Sequence, residues 1–273
     1  MEADLGSITI HYEMFGTGTP ILFIHGAAGD HQAWLGVDEQ LFVDRQGWKR
    51  IYLDLPGHGK TPAPDWLNTN DQVLDVLLQF IDRVIPGVRF AVSGFSWGGY
   101  LAQGIVYRRF SDVIGLRLIG PAMHRNLEPK PERMLLVKDE TLLTDLDPYL
   151  KGLAEIALVV QTPDTIGRLR TWQPFVQSAL QDDANFHSRL QWAYSFDVDK
   201  FPQPFDKPTL ILLGRQDNVV GYRDAWRAMD NFPRATFTVL DQAGHMIASL
   251  EHVELCQNLS MDWLDRMEQA NRG

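Results

Sequence analysis

Between Phe90 and Gly99 the chain reads Phe-Ala-Val-Ser-Gly-Phe-Ser-Trp-Gly-Gly. A short apolar run enters a Gly-x-Ser-x-Gly pattern centred on Ser96, and an amphipathic stretch follows it. Few backbones satisfy that order. A strand that turns tightly into a helix leaves its corner residue strained and its side chain exposed, and a serine there presents its hydroxyl as a nucleophile. Glycine is needed at positions 94 and 98, because a Cβ at either would crowd the turn. The helix opening near Trp97 aims N–H groups and its positive dipole end at the point where negative charge would develop.

Such a pattern also arises by chance in a chain with 22 glycines, so its surroundings decide its meaning. Ser7 to Met14 alternates apolar and polar residues, as a half-buried antiparallel strand does. Pro20–Ile24 is a continuous apolar run, which predicts a fully buried strand ending at His25-Gly26-Ala27-Ala28-Gly29. A helix near Gln32–Phe42, a strand at Arg50–Leu53 and the turn Asp54-Leu55-Pro56-Gly57-His58-Gly59 follow. The next helix carries the stripe Val73, Val76, Leu77, Phe80, Ile81 and Val84, with Asn70 as its expected N-cap. After the strand and helix around Ser96 comes a strand at Val113–Ile119. This alternation implies βαβ units and a mainly parallel sheet.

The alternation stops near Gly120 and resumes at Pro208–Gly214. Between them, Asp147-Pro148 and Thr162-Pro163 each place a capping residue before a proline at the first helical position. Residues 122–206 are therefore expected to form a helical cap inserted into a core domain of residues 1–121 and 207–273. A helix from about Tyr222, a strand at Thr236–Leu240, the loop Asp241–His245 and a closing helix from Leu250 complete the chain.

A net charge of −10 argues against nucleic acid or an anionic membrane as partner. The single Cys256 excludes an intrachain disulfide and fits a reducing compartment. No apolar stretch approaches the roughly 20 residues of a membrane span, and no secretory leader is evident at Met1-Glu2-Ala3-Asp4. The expectation is a soluble cytoplasmic protein acting on a small molecule. The sequence does not speak to its oligomeric state.

A serine hydroxyl needs a base within reach and a third group to orient that base. On a parallel sheet these groups belong on loops at the carboxyl ends of strands. Asp217 follows the strand ending at Gly214, and His245 follows the strand ending at Leu240. The order Ser96, Asp217, His245 suits a nucleophile, an orienting acid and a base in that fold. Asp241 is the weaker acid, since it sits four residues before His245 on the same loop. Backbone N–H groups of Trp97 and Ala27 are the expected oxyanion donors. His25 is expected to bond to loop backbone, and Cys256 to pack in the core with Val253, Leu259 and Trp263. A metal site at His25, Asp30 and His31 is not expected, because no ligand spacing recurs. No cofactor is expected either.

Through His25–Gly29, Asp54–Gly59, Gly94–Gly99, Gly214–Asp217 and Gly244-His245, the whole chain resembles the α/β-hydrolase superfamily. That resemblance implies a mostly parallel eight-stranded sheet flanked by helices, with the cap inserted after the sixth strand. It leaves the substrate open. A serine at position 96 argues against dehalogenases and epoxide hydrolases, whose nucleophile is an aspartate.

Gly29-Asp30-His31 with Trp34, and Gly98-Gly99 with Ala102-Gln103, are similar to enol-lactonases and small carboxylesterases. Trp97 also resembles proline iminopeptidases, which need cap carboxylates to bind a free amino terminus. Phe95 and Ala27-Ala28 depart from the C–C bond hydrolases. The expected reaction is hydrolysis of an ester or lactone of a small, largely apolar substrate; a hydrolase-like ligand receptor is the non-enzymatic alternative. Cap aromatics Trp172, Phe175, Trp192 and Tyr194 are the candidate pocket lining, though cap aromatics also build the cap's own core.

Overall fold

Alternating runs of β-branched and apolar residues build the sheet. In the computed structural model, which describes residues 1–124 and 128–270, its strands are β1 (Glu2–Asp4), β2 (Thr9–Phe15), β3 (Thr19–Ile24), β4 (Trp48–Leu53), β5 (Phe90–Phe95), β6 (Val113–Ile119), β7 (Thr209–Gly214) and β8 (Ala235–Leu240). They form one sheet in the order β1-β2-β4-β3-β5-β6-β7-β8. Neighbours from β4 to β8 run parallel, while β1 and β2 are antiparallel additions at one edge. β1 is three residues long, too short to show a period, and the sequence pattern misses it.

Successive residues of the central strands point to opposite faces and feed two cores. Leu22, Ile24, Val92 and Leu116 join the core under α2 (Asn70–Val84) and α3 (Trp97–Arg108). Ile21, Phe23, Ala91 and Leu210 join the core that contains Trp34, Trp263 and Leu264. Trp34 belongs to α1 (Gln32–Asp38), which a 3₁₀ turn at Glu39–Phe42 extends. With both faces covered, these strands read as the apolar runs seen in the sequence.

The one charge in β6 is buried as well. Arg117 donates to Asp38 of α1 at 2.5 Å, to Ser93 Oγ of β5 at 2.8 Å and to Ser260 Oγ at 3.1 Å. One side chain thereby ties sheet to helices on one face.

The N-cap of α2 is Thr69, not Asn70. Thr69 Oγ1 accepts from Gln72 N, and the Gln72 side chain accepts from Thr69 N, a reciprocal capping box. The Thr-x-x-Gln signature was present in the sequence. Asn70, freed from capping, accepts the Trp97 indole N–H at 2.9 Å and donates to the Trp192 carbonyl.

Between β6 and β7 the described residues form α4 (Pro148–Ala157), α5 (Pro163–Arg170), α6 (Gln173–Ala179) and α7 (Ala184–Arg189), and contribute no strand to the sheet. Asp147 and Thr162 cap α4 and α5 as the sequence predicts. Residues 125–127 of the expected insert lie outside the described residues. Backbone bonds sew this region to the core: Asp183 N donates to Gly57 O and Gln191 N to Asn68 O. The Arg189 guanidinium likewise donates to the Ala63 and Pro64 carbonyls at 3.0 Å.

The chain closes with α8 (Arg223–Arg227), a π-helical turn at Ile247–Glu251 and α9 (Val253–Ala270). The closing helix thus starts a turn later than the sequence suggests. Cys256 is 2% exposed on its buried face, where burial pushes the thiol up to about 12. Among the described residues no helix is long and apolar enough to cross a membrane.

Candidate active site

β5 delivers Ser96 to the carboxyl edge of the sheet and α3 begins at the next residue. Ser96 has φ 52° and ψ −116°, the one positive φ among the described non-glycine residues. That conformation is strained for a residue with a side chain. The flanking glycines permit it. A Cβ at position 94 would sit 2.2 Å from the Gly98 carbonyl oxygen, and one at 98 would sit 2.3 Å from those of Ile24 and His25. Ser96 N donates to Ile119 O, and its carbonyl accepts from Ala122 N, so the corner is pinned to the end of β6.

Two loops at the same edge bring Asp217 and His245 together. His245 Nδ1 lies 2.8 Å from Asp217 Oδ2, and Asp217 is fully buried. The other carboxylate oxygen accepts from Val219 N at 2.8 Å and Val220 N at 2.9 Å. Burial alone would push the Asp217 carboxyl up, but the adjacent imidazole and these amides hold it below the usual carboxylate range. An ionised carboxylate on Nδ1 fixes the proton there and leaves Nε2 as the free lone pair. The loops can touch because Gly214 lacks a side chain; a Cβ there would meet Gly244 O at 2.2 Å. Phe95, one residue before Ser96, lays its ring 4.8 Å from the His245 ring.

Ala27, Ser96 and Trp97 line one cavity of about 370 Å³, with Tyr100, Met123 and Trp192 among its apolar walls. Trp192 stacks edgewise on Trp97 at 5.2 Å. Tyr194 lies elsewhere. It is buried between Tyr100 and Phe196, at 4.4 and 4.7 Å, where it packs as core. Trp172 and Phe175 contact each other at 4.7 Å and line a separate cavity of about 740 Å³ beside α1. His25 bonds to backbone at both nitrogens, through Gly26 O and Leu55 N, which leaves it no metal-binding lone pair.

The alpha/beta hydrolase family model matches residues 21–255. The chain belongs to that family. A pimeloyl-[acyl-carrier protein] methyl ester esterase of Legionella pneumophila (strain Corby) is 33% identical over 91% of this chain and 96% of its own. A 2-hydroxy-6-oxo-6-(2'-aminophenyl)hexa-2,4-dienoic acid hydrolase of Metapseudomonas resinovorans is 22% identical over 98% of this chain and 91% of its own. The crystal structure of an alpha/beta superfamily hydrolase from Oenococcus oeni PSU-1 superposes with TM-score 0.84 at 27% identity, covering 98% of this chain and 99% of that one. The eight-stranded sheet described above is thus the α/β-hydrolase fold.

One residue of this hydrolase escaped the sequence reading. Glu251, at the end of the π-helical turn, accepts from Gly244 N at 2.5 Å and from Val159 N at 2.6 Å. It therefore joins the His245 loop to the region after α4. Its burial pushes the carboxyl up to about 7 against the pull of those amides. Nothing in the local string Ser-Leu-Glu-His marks it, because its partners are remote in sequence.

Proposed function

We propose that this α/β-hydrolase is a serine esterase or lactonase acting on a small, largely apolar substrate through an acyl-enzyme. The observations that support the reading are the strained Ser96 corner and the His245–Asp217 hydrogen bond, linked by Phe95, whose ring lies 4.8 Å from that of His245. His245 Nε2 accepts the Ser96 proton as the hydroxyl attacks the carbonyl carbon. Asp217 holds the ring and stabilises its charged form. The Ala27 and Trp97 N–H groups take the developing oxyanion charge, aided by the start of α3. His245 then gives its proton to the leaving alkoxide. Water activated by the same imidazole attacks the acyl carbon and restores Ser96. Each step uses these side chains and water alone.

The apolar walls given by Tyr100, Met123 and Trp192 favour an aliphatic or aromatic acyl group. The Legionella relative, named for a methyl ester, supports an ester over a peptide. We read residues 122–206 as a cap that supplies Met123 and Trp192 to this cavity.

Purified enzyme is assayed on short and long p-nitrophenyl esters, lactones and a prolyl anilide, and labelled with a fluorophosphonate. Ester or lactone turnover, adduct on Ser96 and a fall on the order of 10⁴ to 10⁶ in Ser96→Ala are expected. Near-normal hydrolysis in Ser96→Ala overturns the mechanism. Preference for the anilide overturns the substrate class, and an unlabelled, inactive protein points to a receptor.

A further inference from the structure

The loop between β4 and α2 carries His58, and the chain just before α7 carries Asp182, with His187 on α7 itself. One ligand atom from each lies within 4.8 Å of the other two. His58 is 1% exposed. Its Nδ1–H donates to Pro56 O at 2.9 Å, so in the neutral ring Nε2 carries the lone pair; that atom is buried and makes no well-formed hydrogen bond, with the Ala27 backbone close to the ring. Asp182 Oδ2 accepts from Gly29 N at 2.9 Å, while its Oδ1 is likewise buried and without a partner. No hydrogen bond joins the three side chains. An unpartnered buried acceptor is costly, and two in one cluster can be served by a single positive centre.

We propose that His58, Asp182 and His187 bind a divalent transition-metal ion of the Zn²⁺ class. Two imidazoles and one carboxylate are a borderline-soft donor set that suits zinc and leaves a fourth position open. The outer partners are those a metal site uses. A backbone carbonyl on His58 Nδ1 fixes the tautomer, and a backbone amide orients the carboxylate. The ion clamps the core loop of His58 to the helical region between β6 and β7. Through Gly29 it also steadies the His25–Gly29 loop that contains Ala27. The His187 ring stacks on Trp192 at 6.0 Å, which carries the clamp to the wall of the Ser96 cavity.

A second group, His11, Glu13 and His31, also gathers ligand atoms. There His31 Nδ1 already lies 2.7 Å from Asp54, and its Nε2 lies 3.4 Å from the partly exposed Glu13. A proton on the His31 ring serves the Asp54 and Glu13 carboxylates there without a metal, while His11 Nε2 stays buried without a partner.

The test uses the full-length protein, stripped with a chelator and titrated with ZnCl₂ by calorimetry. One ion is expected to bind at micromolar concentration or below, and Asp182→Asn or His187→Gln each weakens it by at least about a hundredfold, beyond what loss of an outer partner costs. No binding, or undiminished binding in both variants, overturns the proposal and leaves a shared proton as the centre between His58 and Asp182. Because loss of a buried side chain can also disturb folding, anomalous diffraction at the zinc edge on wild-type crystals gives a second readout. A peak about 2 Å from the three ligand atoms is expected; peaks only elsewhere, the His11–Glu13–His31 group included, overturn it. Neither arm measures hydrolysis, so the result is independent of the esterase reading.

Discussion

Phe95 and His245 lie ring to ring, 4.8 Å apart at a 40° tilt, and Trp34 covers Phe95 from another side at 4.7 Å. The residue before Ser96 is thus a wall for the imidazole. Phe95→Ala removes that wall and leaves a cavity, which costs about 3–5 kcal/mol of stability. Turnover is expected to fall at least about tenfold, with a smaller change in KM, because a looser imidazole affects proton transfer more than binding. Phe95→Leu recovers most of both. Denaturant titration and steady-state kinetics on an ester check the pair; unchanged turnover in Phe95→Ala means that Asp217 alone orients the ring.

Strain at Ser96 has its own signature. Ser96→Gly removes the Cβ that makes φ 52° unfavourable, whereas Ser96→Ala keeps it. Both variants lose the hydroxyl, so both are expected to be inactive. The glycine variant is expected to be the more stable by about 1 kcal/mol, read from paired urea midpoints. Equal midpoints would mean that the corner stores little strain.

Glu251 gives a pH dependence with a definite sign. Its folded pKa, about 7, lies above the ordinary 4.5, so the folded state holds a proton that the unfolded chain has released. Its contribution is fully present below pH 4.5 and is lost as the pH rises towards 7, by about 3 kcal/mol over that window. Glu251→Gln cannot titrate. The stability difference between wild type and variant, measured from pH 4.5 to 8, is expected to move against the wild type as pH rises. A flat difference would assign Glu251 an ordinary pKa.

The buried pair Arg117–Asp38 should respond to single and double substitution very differently. Arg117→Met or Asp38→Leu alone strands the other charge and costs about 3–5 kcal/mol. The double change Arg117→Met with Asp38→Leu is expected to recover most of that loss, since no charge remains to be solvated. Melting curves of the four proteins close the cycle, and an additive double variant would mean that the two charges are not coupled.

Local chemistry was legible in the sequence wherever it depended on neighbours along the chain. The Gly-x-Ser-x-Gly corner, the buried parallel strands, the capped starts of α4 and α5 and the apolar stripe of α2 all follow from spacing within a few residues. At Asn70 two local rules compete, and the Thr69–Gln72 box prevails by satisfying two amides at once. Contacts between remote segments were beyond such rules. Only the folded chain decided that Tyr194 packs against Tyr100 as core while Trp192 reaches the Ser96 cavity. The same holds for Arg117, which occupies the middle of an apolar strand, and for Glu251, which reaches across to Val159. A side chain's backbone neighbours fix its conformation, but its burial and partners are set by whichever distant segment the sheet brings against it.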